Sequence, residues 1–153
     1  MRKTDRGFTL LEALMASGIL VVGLVAVAMV FPYAITTNAS SRQTTTASML
    51  VAQKMEALRT IPLTDAALNV GGSLNPASPA TGYYDYVTVA SGGTITSSTV
   101  IAASARSRAF LRLWQVSGTN PKTVTVVVYT VKNGYRRGLL EATRSSTIVT
   151  DSY

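Results

Sequence analysis

The chain is 153 residues long, and 14 Lys and Arg against 7 Asp and Glu give it a net charge of +7. It has neither Cys nor His, which excludes a thiol nucleophile, an imidazole base and the usual Cys/His zinc sites. Hydrophobic residues make up 47% of the sequence, so one domain with a packed core is feasible. Asp85 and Glu141 would suit an acid–base pair, but nothing in the sequence brings them together, and we interpret them as solvated surface groups. We therefore predict a protein that is not an enzyme and needs no metal or cofactor.

A short basic segment precedes a long uncharged one. Arg2, Lys3 and Arg6, offset by Asp5, come first, and residues 13–35 then form a run of 23 residues without a charge. As a helix this run would cover roughly 35 Å, enough to cross a hydrocarbon core of about 30 Å. The positive-inside rule keeps the basic segment in the cytoplasm. We expect a single-pass membrane protein whose C-terminal domain lies across the membrane.

The order of these segments differs from that of a secretory signal, in which a small-residue cleavage site follows the apolar run. Here the character of the chain changes before the run, at Gly7 and Phe8. Glu12 lies one helical turn after Phe8, although an acidic residue at the centre of a membrane helix costs about 2.5–3.5 kcal/mol. Either Glu12 lies at the headgroup boundary without a function, or it pairs with the amine that cleavage after Gly7 would create.

The string GFTLLEALMA at residues 7–16, behind the leader MRKTDR, resembles the processing and methylation motif of type IV pilin-like precursors. The resemblance implies that residues 1–7 are a leader, that a prepilin peptidase cleaves between Gly7 and Phe8, and that Phe8 is N-methylated. It also implies a role for Glu12 in assembly with other pilin or pseudopilin subunits at an inner-membrane assembly platform. The implied location is the bacterial inner membrane, with the C-terminal domain in the periplasm, and then a periplasmic or extracellular filament.

The pattern of apolar residues predicts one helix from Thr9 to Arg59. Its first part, residues 8–35, is the expected transmembrane and assembly half. Either Gly18, Gly23 and Pro32 weaken this half locally, or its small residues only tolerate close packing of helices. Its second part, residues 36–61, is the expected amphipathic half. There, apolar residues recur at steps of three and four along one face: Ala47, Leu50, Val51, Met55 and Leu58.

The remainder predicts a connecting loop over residues 62–82 and an antiparallel sheet domain over residues 83–153. The expected strands are residues 83–89, 108–116, 122–131 and 139–149, which are rich in β-branched and aromatic residues. Asn133 and Gly134 are typical of a tight hairpin turn. Residues 91–107 are either a surface loop or an extra hairpin. The predicted fold is α+β, a long helix packed on about four antiparallel strands, and this order is similar to the pilin fold.

Two later segments refine the resemblance. Residues 47–59, together with TrpGlnVal and LysThrValThrValValVal near the end, are most similar to PilV-type minor pilins and I-type pseudopilins of type II secretion. The terminal disulfide loop that is frequent in major pilins is missing, which also favours a minor subunit. Both a type IV pilus and a type II secretion pseudopilus remain open as the filament.

One predicted strand carries a basic and aromatic face. Arg108 and Arg112 share this face with Phe110 and Trp114 because residues alternate between the two sides of a strand. Arginine beside aromatic rings suits single-stranded nucleic acid, as in a pilin-like competence subunit that takes up DNA. The same composition is typical of a contact between protein subunits. We favour a solvated or subunit-contacting face, with the aromatic rings covered by a neighbour, over a surface for nucleic acid.

Overall fold

The computed structural model describes residues 8–90, 92–100, 109–130 and 139–150. The chain forms two compact units, Met1–Ser41 and Arg42–Tyr153. Gly7, Arg108 and the predicted turn at Asn133 and Gly134 lie outside the described residues, so the predictions for them stay predictions.

The first element is helix α1, Leu10–Arg59, whose 50 residues match the predicted helix to within one residue. It continues through Pro32. Up to residue 45 every side chain of α1 is exposed, and by length and composition the helix can cross a membrane. A helix that is apolar on all sides and unburied is not stable alone in water, so this half of α1 requires lipid or other helices around it.

The second half of α1 packs on the sheet within the second unit. Four of the five apolar residues in the predicted stripe are buried: Ala47, Leu50, Val51 and Leu58. Met55, the fifth, is partly buried against the same cluster. The predicted amphipathic face is confirmed.

Among the described residues the sheet has six antiparallel strands: β1 (Gly71–Gly72), β2 (Tyr84–Val89), β3 (Ile95–Ser98), β4 (Ala109–Ser117), β5 (Lys122–Thr130) and β6 (Leu140–Val149). The spatial order is β3-β2-β4-β5-β6, and β1 pairs with β4. The four predicted strands correspond to β2, β4, β5 and β6, and the α+β pilin-like architecture is confirmed. Strand β3 pairs with β2, so part of residues 91–107 forms the extra hairpin that the sequence left open.

Both faces of the sheet are buried around its central strands. The face toward α1 carries Val87, Phe110, Trp114, Val116, Val124, Val126, Val128 and Val149. The opposite face carries Tyr86, Leu111, Leu113, Val127 and Tyr129. Because β5 is buried on both sides, its run of valines does not alternate with polar residues.

The segment between α1 and β2 is held against the sheet by polar contacts. The Lys122 ammonium donates hydrogen bonds to the carbonyl oxygens of Leu63, at 2.7 Å, and Leu68, at 2.8 Å. Leu68 ends a short 3-10 helix, Ala66–Leu68, and the Tyr83 hydroxyl donates to the carbonyl of Asn69 at 2.9 Å. The segment predicted as a loop, residues 62–82, thus contains two short elements, the 3-10 helix and β1.

Candidate processing and assembly site

Phe8 is the first described residue and precedes the helix by two positions. Its side chain is 74% exposed, and neither Phe8 nor Thr9 is helical. A protease needs a chain that is accessible and not locked in a helix, and Phe8 meets both conditions on its side of the predicted cleavage point.

Thr9 caps the start of α1. The Thr9 hydroxyl oxygen accepts a hydrogen bond from the backbone N–H of Glu12 at 3.2 Å, and the Thr9 carbonyl accepts one from the N–H of Ala13 at 3.2 Å. Thr9 is therefore the N-cap and Glu12 stands three residues later, the spacing of a capping box. We did not identify Thr9 from the sequence, although the Thr-x-x-Glu pattern was a sufficient signal.

Glu12 is exposed in the first turn of α1. A carboxylate at this position interacts favourably with the positive end of the helix dipole. In the described part of the chain the ion pairs are Arg112–Asp85 and Arg144–Glu141, so no described basic side chain neutralises Glu12. Its carboxylate is therefore available to another cation.

The helix after Glu12 presents an uncharged and largely apolar surface up to Ile35. Its large apolar side chains, from Phe8 to Ile35, are each between 49% and 84% exposed. Burying one such side chain fully is worth about 1.5–3 kcal/mol, which favours both insertion into lipid and packing among similar helices. The first half of α1 thus combines one carboxylate with a surface that avoids water.

Arg112 is not on an exposed basic surface, and that prediction is wrong. Its guanidinium donates to both carboxylate oxygens of Asp85, at 2.9 and 2.7 Å, and to the Leu50 carbonyl of α1 at 3.1 Å. The Ser97 hydroxyl donates to the same carboxylate at 2.8 Å. Arg112 is only 6% exposed, and its charge is neutralised inside the domain. Asp85 is likewise buried, which corrects its interpretation as a solvated group.

Trp114 is also buried, which corrects its predicted role in contacting DNA or another subunit. Only 6% of Trp114 is exposed, and the Lys54 ammonium of α1 lies 3.6 Å from the ring centroid, a cation–π contact. The Tyr83 ring is tilted against Trp114 at 6.4 Å between centroids. Burial lowers the pKa of Lys54 below its usual range. The negative charge of Asp85 opposes this lowering of the pKa, and the positive charge of Arg112 adds to it. The aromatic face is covered by the helix of the same chain.

Asp85 and Glu141 do not meet. Asp85 lies on the face of the sheet that α1 covers, where it is paired with Arg112. Glu141 lies on β6 and accepts two hydrogen bonds from Arg144 at 3.1 Å. Burial, and next the charge of Glu141, raise the pKa of Tyr129 on the neighbouring strand. Among the described residues no group of three or more His, Cys, Asp or Glu is placed to hold a metal ion.

Residues 2–28 match the family model described as the prokaryotic N-terminal methylation motif. The matched residues contain Gly7, Phe8, Thr9 and Glu12. No curated protein and no solved structure matches the chain. The match ends inside the apolar run and therefore bears on the N-terminal segment alone, where it supports a type IV pilin-like precursor.

Proposed function

We propose that the chain is a structural subunit of a type IV pilus-like filament. It is inserted in the inner membrane as a precursor, cleaved between Gly7 and Phe8 and N-methylated at Phe8, and it assembles through the apolar half of α1. The observation that carries this proposal is the methylation motif at residues 2–28, which extends into the first half of α1, where the apolar side chains are all exposed.

The polar start of α1 supports the assembly step. Cleavage would create an amine at Phe8, four residues before the unneutralised carboxylate of Glu12. When apolar helices surround this turn, an unpaired charge is strongly unfavourable, whereas an amine and a carboxylate satisfy each other. Pairing within a subunit or between neighbours would also fix the axial register of the helices.

The finer assignment is a minor pilin or a pseudopilin of type II secretion. It is supported by the sequence of residues 47–59, by the late Trp114–Val116 and Lys122–Val128 segments, and by the absence of cysteine. The partners in this proposal are the prepilin peptidase, other pilin or pseudopilin subunits and the inner-membrane assembly platform. The sheet domain would face the periplasm and later the surface of the filament.

We do not carry forward the DNA-binding alternative. It depended on a surface formed by Arg108, Arg112 and Trp114, of which the latter two are buried. The remaining described basic side chains of the sheet are Lys122, which binds two carbonyls, and Arg144, which is paired with Glu141. The described basic residues of the sheet therefore do not favour nucleic acid as the partner.

Processing is tested by co-expressing the chain with a prepilin peptidase and measuring intact mass and the N-terminal sequence. We expect loss of residues 1–7 and one added methyl group on Phe8. Gly7→Leu should block cleavage because a bulky side chain obstructs the approach of the protease to the backbone. Gly92→Leu is the matched control, since no atom lies within 4 Å of the added Cβ. A wild-type chain that still begins at Met1 beside an active peptidase would refute the proposal.

A further inference from the structure

Arg42 is the only charged residue between Glu12 and Lys54 in the sequence. It lies in α1 with an exposed side chain, and neither of the two ion pairs among the described residues involves it. We propose that the Arg42 guanidinium binds the phosphate groups of phospholipids on the periplasmic surface of the membrane. This inference rests on the membrane insertion of α1 that the proposed function includes.

The uncharged stretch that ends at Arg42 matches the thickness of a whole bilayer. Residues 13–41 contain no charge and belong to one continuous helix. At about 1.5 Å per residue they cover about 44 Å, or about 41 Å along the membrane normal at the average tilt of about 20°. A bilayer with its headgroups is about 40–45 Å thick. When Glu12 lies at one surface of the membrane, the next charge along the helix therefore lies at the other.

The residues directly before Arg42 suit the headgroup layer. Five of the six residues in the segment 36–41 are Thr, Asn or Ser, so this segment is polar but uncharged. It covers about 9 Å, close to the roughly 5–8 Å of one headgroup layer. The Thr36 and Ser41 hydroxyls donate to helix carbonyls, those of Tyr33 and Thr37, at 2.9 and 3.0 Å. The helix can therefore continue through this layer with these hydroxyl groups satisfied.

The direction and chemistry of the Arg42 side chain favour phosphate. Side chains of an α-helix point back toward its N-terminus, so Arg42 reaches toward the membrane that holds the first half of α1. Its guanidinium carries five donors in a planar fork, which binds two phosphate oxygens at once. The later cations of α1 are placed differently, since the Lys54 ammonium lies 3.6 Å from the Trp114 ring centroid and Arg59 is the last residue of the helix.

This contact would hold the sheet domain close to the lipid. Ala47, the first buried residue of α1, follows Arg42 by five positions, which is about 8 Å along the helix. The packed core thus begins about one and a half turns after the phosphate contact. Release of a subunit from the membrane would have to break the contact, so Arg42 would favour the lipid-bound state until assembly.

A distance measurement by solid-state NMR tests the contact directly. The full-length chain, labelled with ¹³C at its guanidinium carbons, is reconstituted in vesicles of phosphatidylethanolamine and phosphatidylglycerol in a buffer without phosphate. The spectrum of Arg42→Gln is subtracted from that of wild type, which leaves the signal of Arg42 alone. We expect recoupling to ³¹P to attenuate this signal strongly, because hydrogen-bonded guanidinium and phosphate groups have N···O distances of about 2.7–2.9 Å. A signal that ³¹P does not attenuate would overturn the proposal.

A spin label measures the effect of the contact on the depth of the helix. Because the chain has no cysteine, Ala39→Cys gives a single labelling site, one turn before Arg42 on the same side of α1. Arg42→Glu should raise the collision rate of this label with a water-soluble relaxation reagent at least about twofold, since anionic headgroups repel a carboxylate. Arg42→Lys should stay close to wild type. Arg59→Glu is the matched control, an exposed cation at the far end of α1, and should change the rate little.

The outcomes separate this contact from the proposed function. An unchanged collision rate in Arg42→Glu would refute the role of Arg42 in setting the depth of the helix. A chain that alkaline carbonate washes from the vesicles would refute membrane insertion, and the proposed function with it. A chain that stays inserted but shows neither the ³¹P attenuation nor the change in collision rate would refute the phosphate contact alone.

Discussion

The ion pair of Arg112 and Asp85 offers a sharp test of the fold because both side chains are almost fully enclosed, with 7% and 12% of their side-chain surfaces exposed. Asp85→Ala removes two of the three hydrogen bonds of the guanidinium and leaves only the one to the Leu50 carbonyl. Breaking a buried pair from one side typically costs about 3–5 kcal/mol. The free energy of unfolding of a whole domain is typically about 5–15 kcal/mol, so this loss is a large part of its stability.

The assay is urea unfolding of a fragment that begins at residue 36, with circular dichroism as the readout. We expect this fragment to fold without the lipid-facing half of α1. The double variant Asp85→Leu with Arg112→Met should recover most of the loss, because an apolar pair of similar volume leaves no buried charge. Arg144→Met is the matched control, since it breaks an exposed pair and should change the unfolding midpoint little. An unfolding free energy of Asp85→Ala within about 1 kcal/mol of wild type would refute the reasoning.

Substitutions at four other positions test separate parts of the structure. Leu58→Asp places an unpaired charge in the core and should lower the free energy of unfolding by several kcal/mol; an unchanged melting temperature would show that this helix face is exposed. The pKa of Lys54 is lowered in the folded state, so just below pH 10.5 the unfolded chain binds more protons than the folded one. The free energy of unfolding should therefore rise with pH in this window. Lys54→Met should remove this rise, as measured by urea midpoints across the window. Thr9→Ala should destabilise the first turn of α1 by about 0.5–2 kcal/mol while Thr9→Ser retains it, as measured by amide exchange of that turn. Glu12→Leu should insert and fold but enter sheared filaments poorly, with Glu12→Gln intermediate after normalisation to membrane levels; equal incorporation of Glu12→Leu and wild type would make the glutamate a passive residue.

Local periodicity was sufficient to predict α1 and the main strands. The stripe from Ala47 to Leu58 repeats at the helical period, and the Val-rich and Thr-rich run of β5 has high strand propensity on its own. Strand β1 could not be predicted in this way, because two glycines carry no side-chain signal. Its pairing depends on a close approach of Gly72 to the backbone at Trp114, which is possible because Gly72 lacks a Cβ and adopts a φ of 92°.

The misassigned face of β4 has a different cause. Alternation correctly placed Phe110, Arg112 and Trp114 on one side, and the structure confirms that all three belong to the face toward α1. Alternation cannot tell which side a distant helix will cover. Nor could it show that Asp85, 27 residues earlier, lies opposite Arg112 in the sheet. The sequence therefore suggested an exposed surface at Arg112, because the neighbouring strand residue Asp85 that neutralises its charge could not be recognised.

The start of α1 joins two requirements that usually conflict in a membrane helix. A carboxylate near the apolar run opposes transfer into a stack of helices, yet at the third position after the Thr9 cap it is compatible with the helix dipole and with a backbone hydrogen bond to the cap. Removal of residues 1–7 would take away Arg2, Lys3 and Arg6 and put a single amine beside the same turn. The positive charge of this new amine at Phe8 would then be neutralised by the single negative charge of Glu12, inside the apolar environment that the rest of the helix requires. Under the proposed function we therefore expect residues 1–7 to be removed before assembly, because their basic side chains would otherwise leave an excess of positive charge at the helix start.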